Sequence, residues 1–162
     1  MNAIELLMND HREAIELVEQ LEHADVDQLQ TASDETNPVR LHETTFNKLK
    51  NALAVHTQIE EQIFHPTLEG FDETGGIVKD YYREHDNVDM ILADLSNLKP
   101  TDEVWSGRIR ELRENLYQHI DKEESELFPQ AENLLGDKKL QEMYRQIEEM
   151  KNSRPAARAT SR

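Results

Sequence analysis

The sequence predicts an all-α fold, an up-down-up-down four-helix bundle with a short additional C-terminal helix, and three observations carry that prediction. Four helix-sized stretches place apolar residues at alternating steps of three and four, the spacing of one helix face. One helical hairpin is written twice along the chain. Charged residues make up 32% of the 162, aromatics are few, and glycine is scarce and concentrated around residues 70–76, a balance that suits exposed helix faces better than a sheet.

The first stripe reads Ile4, Leu7, His11, Ala14, Val18, Leu21. Its helix is expected from about Asn2 to the polar stretch around Thr31 to Asn37, where Ser33, Asp34 and Asn37 supply breaker chemistry. Asn37 before Pro38 is a helix start, with Asn capping free N–H groups and Pro in the first turn. The second helix then runs to about His65-Pro66 and carries Phe46, Leu49, Leu53, His56, Glu60, Ile63. Gly70, Gly75 and Gly76 mark the next turn. A third helix over roughly Ile77 to Leu98 carries Val78, Tyr81, His85, Val88, Leu92, Leu95. Pro100-Thr101-Asp102 opens a fourth with an acidic first turn that suits the helix dipole. Its stripe is Trp105, Ile109, Leu112, Leu116, His119, Glu123, Leu127, and Pro129 ends or kinks it. Leu140, Met143, Tyr144 and Ile147 recur at helical spacing between Lys138 and Met150, which gives the short fifth helix. The expected organisation is a bundle over residues 1–135, a C-terminal helix over 136–152 packed on it, and a basic tail over 153–162 that lacks periodicity and reads as a mobile end.

The repeat is specific in its offsets. His11 is followed at plus six, seven and ten by Leu17, Val18 and Leu21, and His85 by Ile91, Leu92 and Leu95. His56 leads to Glu60-Glu61 and then Pro66, and His119 leads to Glu123-Glu124 and Pro129 at the same distances. Two such hairpins related by a pseudo-twofold axis form a bundle with the polar residues between them.

Composition removes several function classes. No uncharged run approaches the roughly 20 apolar residues that span a bilayer, and Asn2 leads straight into an amphipathic helix with no secretory pattern, so a cytoplasmic protein without a membrane partner is expected. Cysteine is absent, which excludes disulfides, thiolate zinc sites and iron–sulfur clusters. A formal charge of -16 repels phosphate, so nucleic acid is not an expected partner. Oligomeric state is not readable.

Six polar residues interrupt the four apolar seams: His11, His56, Glu60, His85, His119 and Glu123. Burying one carboxylate without a partner costs several kcal/mol, and a cation is the simplest compensation. Residues four apart share a helix face, so His56 with Glu60, and His119 with Glu123, can each grip one ion cluster, with one imidazole added from each of the other two helices. Four imidazoles and two carboxylates suit iron, manganese or zinc and poorly suit calcium or magnesium. Six ligands exceed a closed zinc site and fit two ions sharing carboxylates. His42 is in phase with His56 but about 21 Å away by helix rise, His65 lies about 180° round from His56, and His23 about 120° round from His11; all three are expected at the surface. Glu61 and Glu124 fall one step past the ligand face, as direct ligands, as partners of the ligands or as solvated residues. Tyr81 and Tyr117 are expected to pack in the core.

These residues resemble the haemerythrin-like proteins that carry an HHE cation-binding domain, of the bacterial type. The resemblance spans about Met1 to Pro129 and rests on a single His, then His-x-x-x-Glu, a single His, then His-x-x-x-Glu, followed by Glu123-Glu124 and Phe128-Pro129. It implies two iron ions, oxo- or hydroxo-bridged or not, with Glu60 and Glu123 bridging and the histidines as terminal ligands; manganese or zinc are the alternatives. The oxygen-carrying haemerythrins have a further histidine one turn after the third-helix histidine and an aspartate five residues after the fourth-helix histidine. Here those positions hold Asp89 and Glu124, with Asp89 a candidate replacement ligand. The implied function is binding of O2, peroxide or NO for sensing, scavenging or stress defence, with a diiron enzyme (peroxide-decomposing or ferroxidase-type) or an iron store or iron-responsive adaptor as alternatives.

Overall fold

Asn2 caps the first helix. Its side chain accepts the Glu5 N–H at 3.0 Å while its own N–H donates to Glu5 Oε2 at 2.9 Å, which satisfies two otherwise free groups at the helix start. The structure, a computed structural model, describes residues 1–24 and 37–153. The first helix ends at Glu22 with His23 as its C-cap, short of the expected stretch around Thr31 to Asn37; the breakers Ser33 and Asp34, the Asn37 cap and the basic tail beyond Ser153 lie outside the described residues or side chains.

Helix α1 (Ala3–Glu22) packs against α2 (Asn37–Ile59) and α5 (Glu103–Lys122), and α5 packs against α4 (Asp72–Ser96). These four long helices form the up-down-up-down bundle. Each hairpin's second helix departs from α geometry at the same place. A π turn, π1 (Glu60–Phe64), leads into the short α3 (His65–Glu69), and π2 (Glu123–Leu127) leads into α6 (Phe128–Asn152). Each π turn ends just before a proline, Pro66 or Pro129, in the first turn of the next helix. A proline ring clashes with the carbonyl four residues back in a regular helix, and the wider turn makes room for it. Pro129 therefore does not stop the chain's helical course, which continues to a break at Gly136. Nor do Gly75 and Gly76 sit in a turn: Phe71 is extended (φ -102, ψ 136) and α4 begins at Asp72, with Asp72 and Glu73 in its first turn, where acids suit the dipole.

The apolar interior has two clusters. One joins Ile4, Leu7, Phe64, Leu68, Val78, Tyr81, Leu127 and Phe128 to Leu140, Met143 and Ile147 of α6, so the C-terminal helix covers that end of the bundle. The other joins Val18, Phe46, Leu49, Leu53, Leu92, Trp105, Leu112 and Leu116. On every long helix a histidine separates the two: His11 follows Leu7 and precedes Ala14, and His85 sits between Tyr81 and Val88. The polar layer is thus buried between two apolar ones.

Candidate metal centre

All six residues singled out in the seams are buried, with Glu60 and Glu123 at 0% exposure. The structure brings them together. His11 Nε2 lies 3.0 Å from Glu123 Oε1 and 3.2 Å from His56 Nε2, while His56 Nε2 lies 3.0 Å from Glu60 Oε1. On the other side His85 Nε2 lies 3.2 Å from Glu60 Oε1, and His119 Nε2 lies 3.7 Å from Glu123 Oε2. The donors form two groups that share Glu60, one of His11, His56, Glu60 and Glu123 and one of Glu60, His85 and His119.

Apart from the contact between His11 Nε2 and His56 Nε2, the inner atoms lack hydrogen-bond partners among the described residues. Among the described residues, both oxygens of Glu60 and of Glu123 and the Nε2 atoms of His85 and His119 are buried without a hydrogen-bond partner. Such atoms ordinarily find one. Two ligands bonded at about 2.1 Å to one ion, at 90–110° to each other, lie roughly 3.0–3.4 Å apart, close to the separations here. The residues fit a pair of transition-metal ions.

Outer carboxylates orient the rings. His11 Nδ1–H donates to Glu124 Oε2 at 2.6 Å, His85 Nδ1–H to Glu61 Oε2 at 2.7 Å, and His119 Nδ1–H to Glu84 Oε2 at 2.6 Å. Asp10 Oδ2 stands 3.6 Å from His56 Nδ1. A proton held on Nδ1 leaves the Nε2 lone pair facing inward, the tautomer a metal ligand needs. Glu61 and Glu124 thus meet the outer nitrogens of His85 and His11 rather than the inner cluster. Asp10 and Glu84 went unrecognised in the sequence, although each immediately precedes a seam histidine in the two halves. Asp89 is exposed and outside both donor groups.

The expectation of surface positions holds for His23 and fails for two histidines. His42 is buried at the far end of the second cluster because Trp105 of α5 covers it, with ring centroids 5.1 Å apart. His65 is 0% exposed. The π turn explains it: one inserted residue takes about 100° off the expected rotation, leaving His65 about 80° from His56 instead of 180°. The same shift leaves Ile63 half-buried and turns Phe64 and Leu68 into the core. Tyr81 packs in the core as expected, edge-on to His119, whereas Tyr117 is 41% exposed and its hydroxyl donates to Glu19.

The charge balance without metal is set by proximity. Burial opposes the charged form of His56, but Glu60, Asp10 and Glu123 outweigh it and raise its pKa to about 10. Burial likewise opposes a charge on His65, and Glu123 and Glu60 raise it to about 9. Burial alone would push Glu60 up; His56, Glu123 and His65 hold it well below the usual carboxylate range. Cations entering this cluster must displace protons from the imidazoles.

Beside the histidines, on the second cluster's side, lies a cavity of about 30 Å³ walled by Ala14, Ala52, Leu53, Val88 and Leu116. It has room for one or two water-sized molecules.

The Hemerythrin HHE cation binding domain family matches residues 2–131 of this chain. The chain belongs to this haemerythrin family. A haemerythrin HHE cation-binding domain-containing protein from Mycobacterium kansasii shares the fold at a TM-score of 0.76 and 22% identity, over 99% of this chain and 94% of that one. A DNA nickase from Nostoc sp. is 23% identical over 128 residues, covering 79% of this chain and 36% of that protein. This haemerythrin-family chain therefore spans about a third of the nickase's length. Its His/Glu cluster lies within the matched residues, as cation binding requires. Among the described residues no helix is long and apolar enough to cross a membrane.

Proposed function

We propose that this chain is a cytoplasmic non-haem diiron protein that binds O2, peroxide or NO, for sensing, scavenging or stress defence, with His11, His56, Glu60, His85, His119 and Glu123 as metal ligands. The observation that carries it is the buried, inward-facing cluster in which His85 Nε2, His119 Nε2 and both oxygens of Glu60 and Glu123 lack hydrogen-bond partners among the described residues. When bound, an iron pair supplies electrons and an open position to a small molecule. The chain supplies the rest. Glu60 and Glu123 counter the ionic charge, Glu61, Glu84 and Glu124 fix the rings, and the adjoining cavity offers a small molecule a place beside the histidines.

That cavity also favours a second reading, turnover of peroxide, because its volume admits peroxide as readily as O2. Nicking of DNA, named for the Nostoc protein, does not suit a chain whose charge of -16 offers little to phosphate. Protein purified without chelators under iron-replete, anaerobic conditions is expected to carry about two irons per chain, and Glu60→Ala to carry few. An iron content below about one equivalent counts against the proposal. A stable visible adduct with O2 or NO favours a carrier or sensor, and repeated peroxide disposal lost in Glu60→Ala favours an enzyme.

A further inference from the structure

We propose that His65 is a fifth imidazole ligand of the metal pair, bound through Nε2 to the ion on the His85 and His119 side, so that the two ions are held unequally. The inference rests on the proposed dinuclear site. It starts from the internal repeat: His65 and Phe128 both stand nine residues after the paired histidine, at the exit of equivalent π turns. Phe128 lies parallel to His11 with centroids 5.8 Å apart, and His65 stacks on His85 at 5.7 Å. The architecture needs only a flat ring at this place, as Phe128 shows. An imidazole adds two polar nitrogens that a fully buried position would otherwise not hold.

The placement of Nε2 gives those nitrogens a use. It lies 3.6 Å from Glu60 Oε2 and 3.5 Å from Glu123 Oε2. Both distances are too long for an N–H···O hydrogen bond, and both His65 nitrogens are buried without a hydrogen-bond partner among the described residues. They lie a few tenths of an ångström beyond the spacing of two ligands on a shared ion, as does the 3.7 Å between His119 Nε2 and Glu123 Oε2. The donor sets also differ in size: four residues on the His11 and His56 side, three on the His85 and His119 side. His65 stacks on His85 and reaches one oxygen of each inner carboxylate, which adds a third imidazole on the side that holds His85 and His119. It faces the first apolar cluster, opposite the 30 Å³ cavity, so its coordination leaves the cavity side open. Unlike His11, His85 and His119 it has no outer carboxylate on Nδ1, which makes it the least firmly oriented of the five.

The test replaces His65 by the residue its twin position carries, His65→Phe, and titrates the metal-free protein with Fe(II) or Co(II) alone against a chelator. Wild type is expected to take up two ions. His65→Phe is expected to keep one ion at wild-type affinity and to bind the other at least tenfold more weakly. Two ions bound by the variant with unchanged affinities would overturn the role of His65 while leaving the dinuclear site standing; a wild type that binds fewer than one ion removes both. Should the variant not fold, the Co(II)-loaded wild type decides by paramagnetic NMR. Five hyperfine-shifted, exchangeable ring N–H signals support the assignment, and four overturn it.

Discussion

Glu84 and His119, on neighbouring helices and 35 residues apart in sequence, meet at 2.6 Å through His119 Nδ1, on the side of the ring away from the donor cluster. Burial raises the acidity cost of Glu84, yet the contacts with His119 and Lys122 hold its carboxyl below the usual range, so it stays a charged acceptor. Replacing it by alanine frees the ring to rotate and removes the charge that makes Nε2 more basic. Glu84→Ala is expected to weaken metal binding by about 10- to 100-fold, with the loss confined to one of the two ions. Chelator competition measures it, and an unchanged affinity for both ions would remove Glu84 from the site.

What the sequence revealed and what it hid divide along one line. The six seam residues were legible because each replaces a hydrophobe at a position helical periodicity reserves for the core. Glu84 and Asp10 were not, since each lies off its own stripe and becomes relevant only when a neighbouring helix brings a histidine to it. The repeat held the clue: an acid precedes His11 and His85, and an acid follows Glu60 and Glu123, so all four outer carboxylates are related by the pseudo-twofold axis. His65 was misplaced for a different reason. Helical-wheel arithmetic assumes an unbroken 3.6-residue period, and π1 breaks it between His56 and His65. The signal was Pro66 with Leu68 continuing the apolar pattern beyond it.

Metal-free protein is expected to lose stability on the alkaline side. His56 and His65 rise from an ordinary 6.5 to about 10 and about 9, so the stability they contribute is complete below about pH 6.5 and disappears as pH climbs through 9 to 10. Glu60 is held below its ordinary 4.5, and its contribution is present above that value and lost at lower pH. The metal-free melting temperature should therefore be highest between about pH 4.5 and 6.5. It should fall toward pH 10. Melting curves that stay level or rise from pH 6 to 9.5 would contradict the ion pairing described for the cluster.

Metal removal has a separate signature. An ion that binds only the folded chain, at a free concentration 1,000 times its Kd, adds about 4 kcal/mol of stability. For a chain of this size that corresponds to a melting shift on the order of 10 °C. Dialysis against chelator at pH 7 should produce a drop of that order, reversed by adding Fe(II), with far-ultraviolet helicity retained because the two apolar clusters persist on either side of the polar layer. No shift would mean that the cluster gains nothing from a cation.

Gly136 isolates a purely backbone contribution. Its φ of 76 and ψ of 167 fall in a region essentially reserved for glycine, and this bend breaks α6 so that Leu140, Met143 and Ile147 turn into the first cluster. A Cβ added there would meet nothing within 4 Å, so no clash competes with the conformational term. Gly136→Ala should cost about 1–3 kcal/mol, read as a lower urea midpoint with unchanged slope. Metal affinity should stay at the wild-type value, since none of the histidines or inner carboxylates lies beyond the bend. An alanine variant as stable as wild type would show that the segment after residue 136 can dock without the bend.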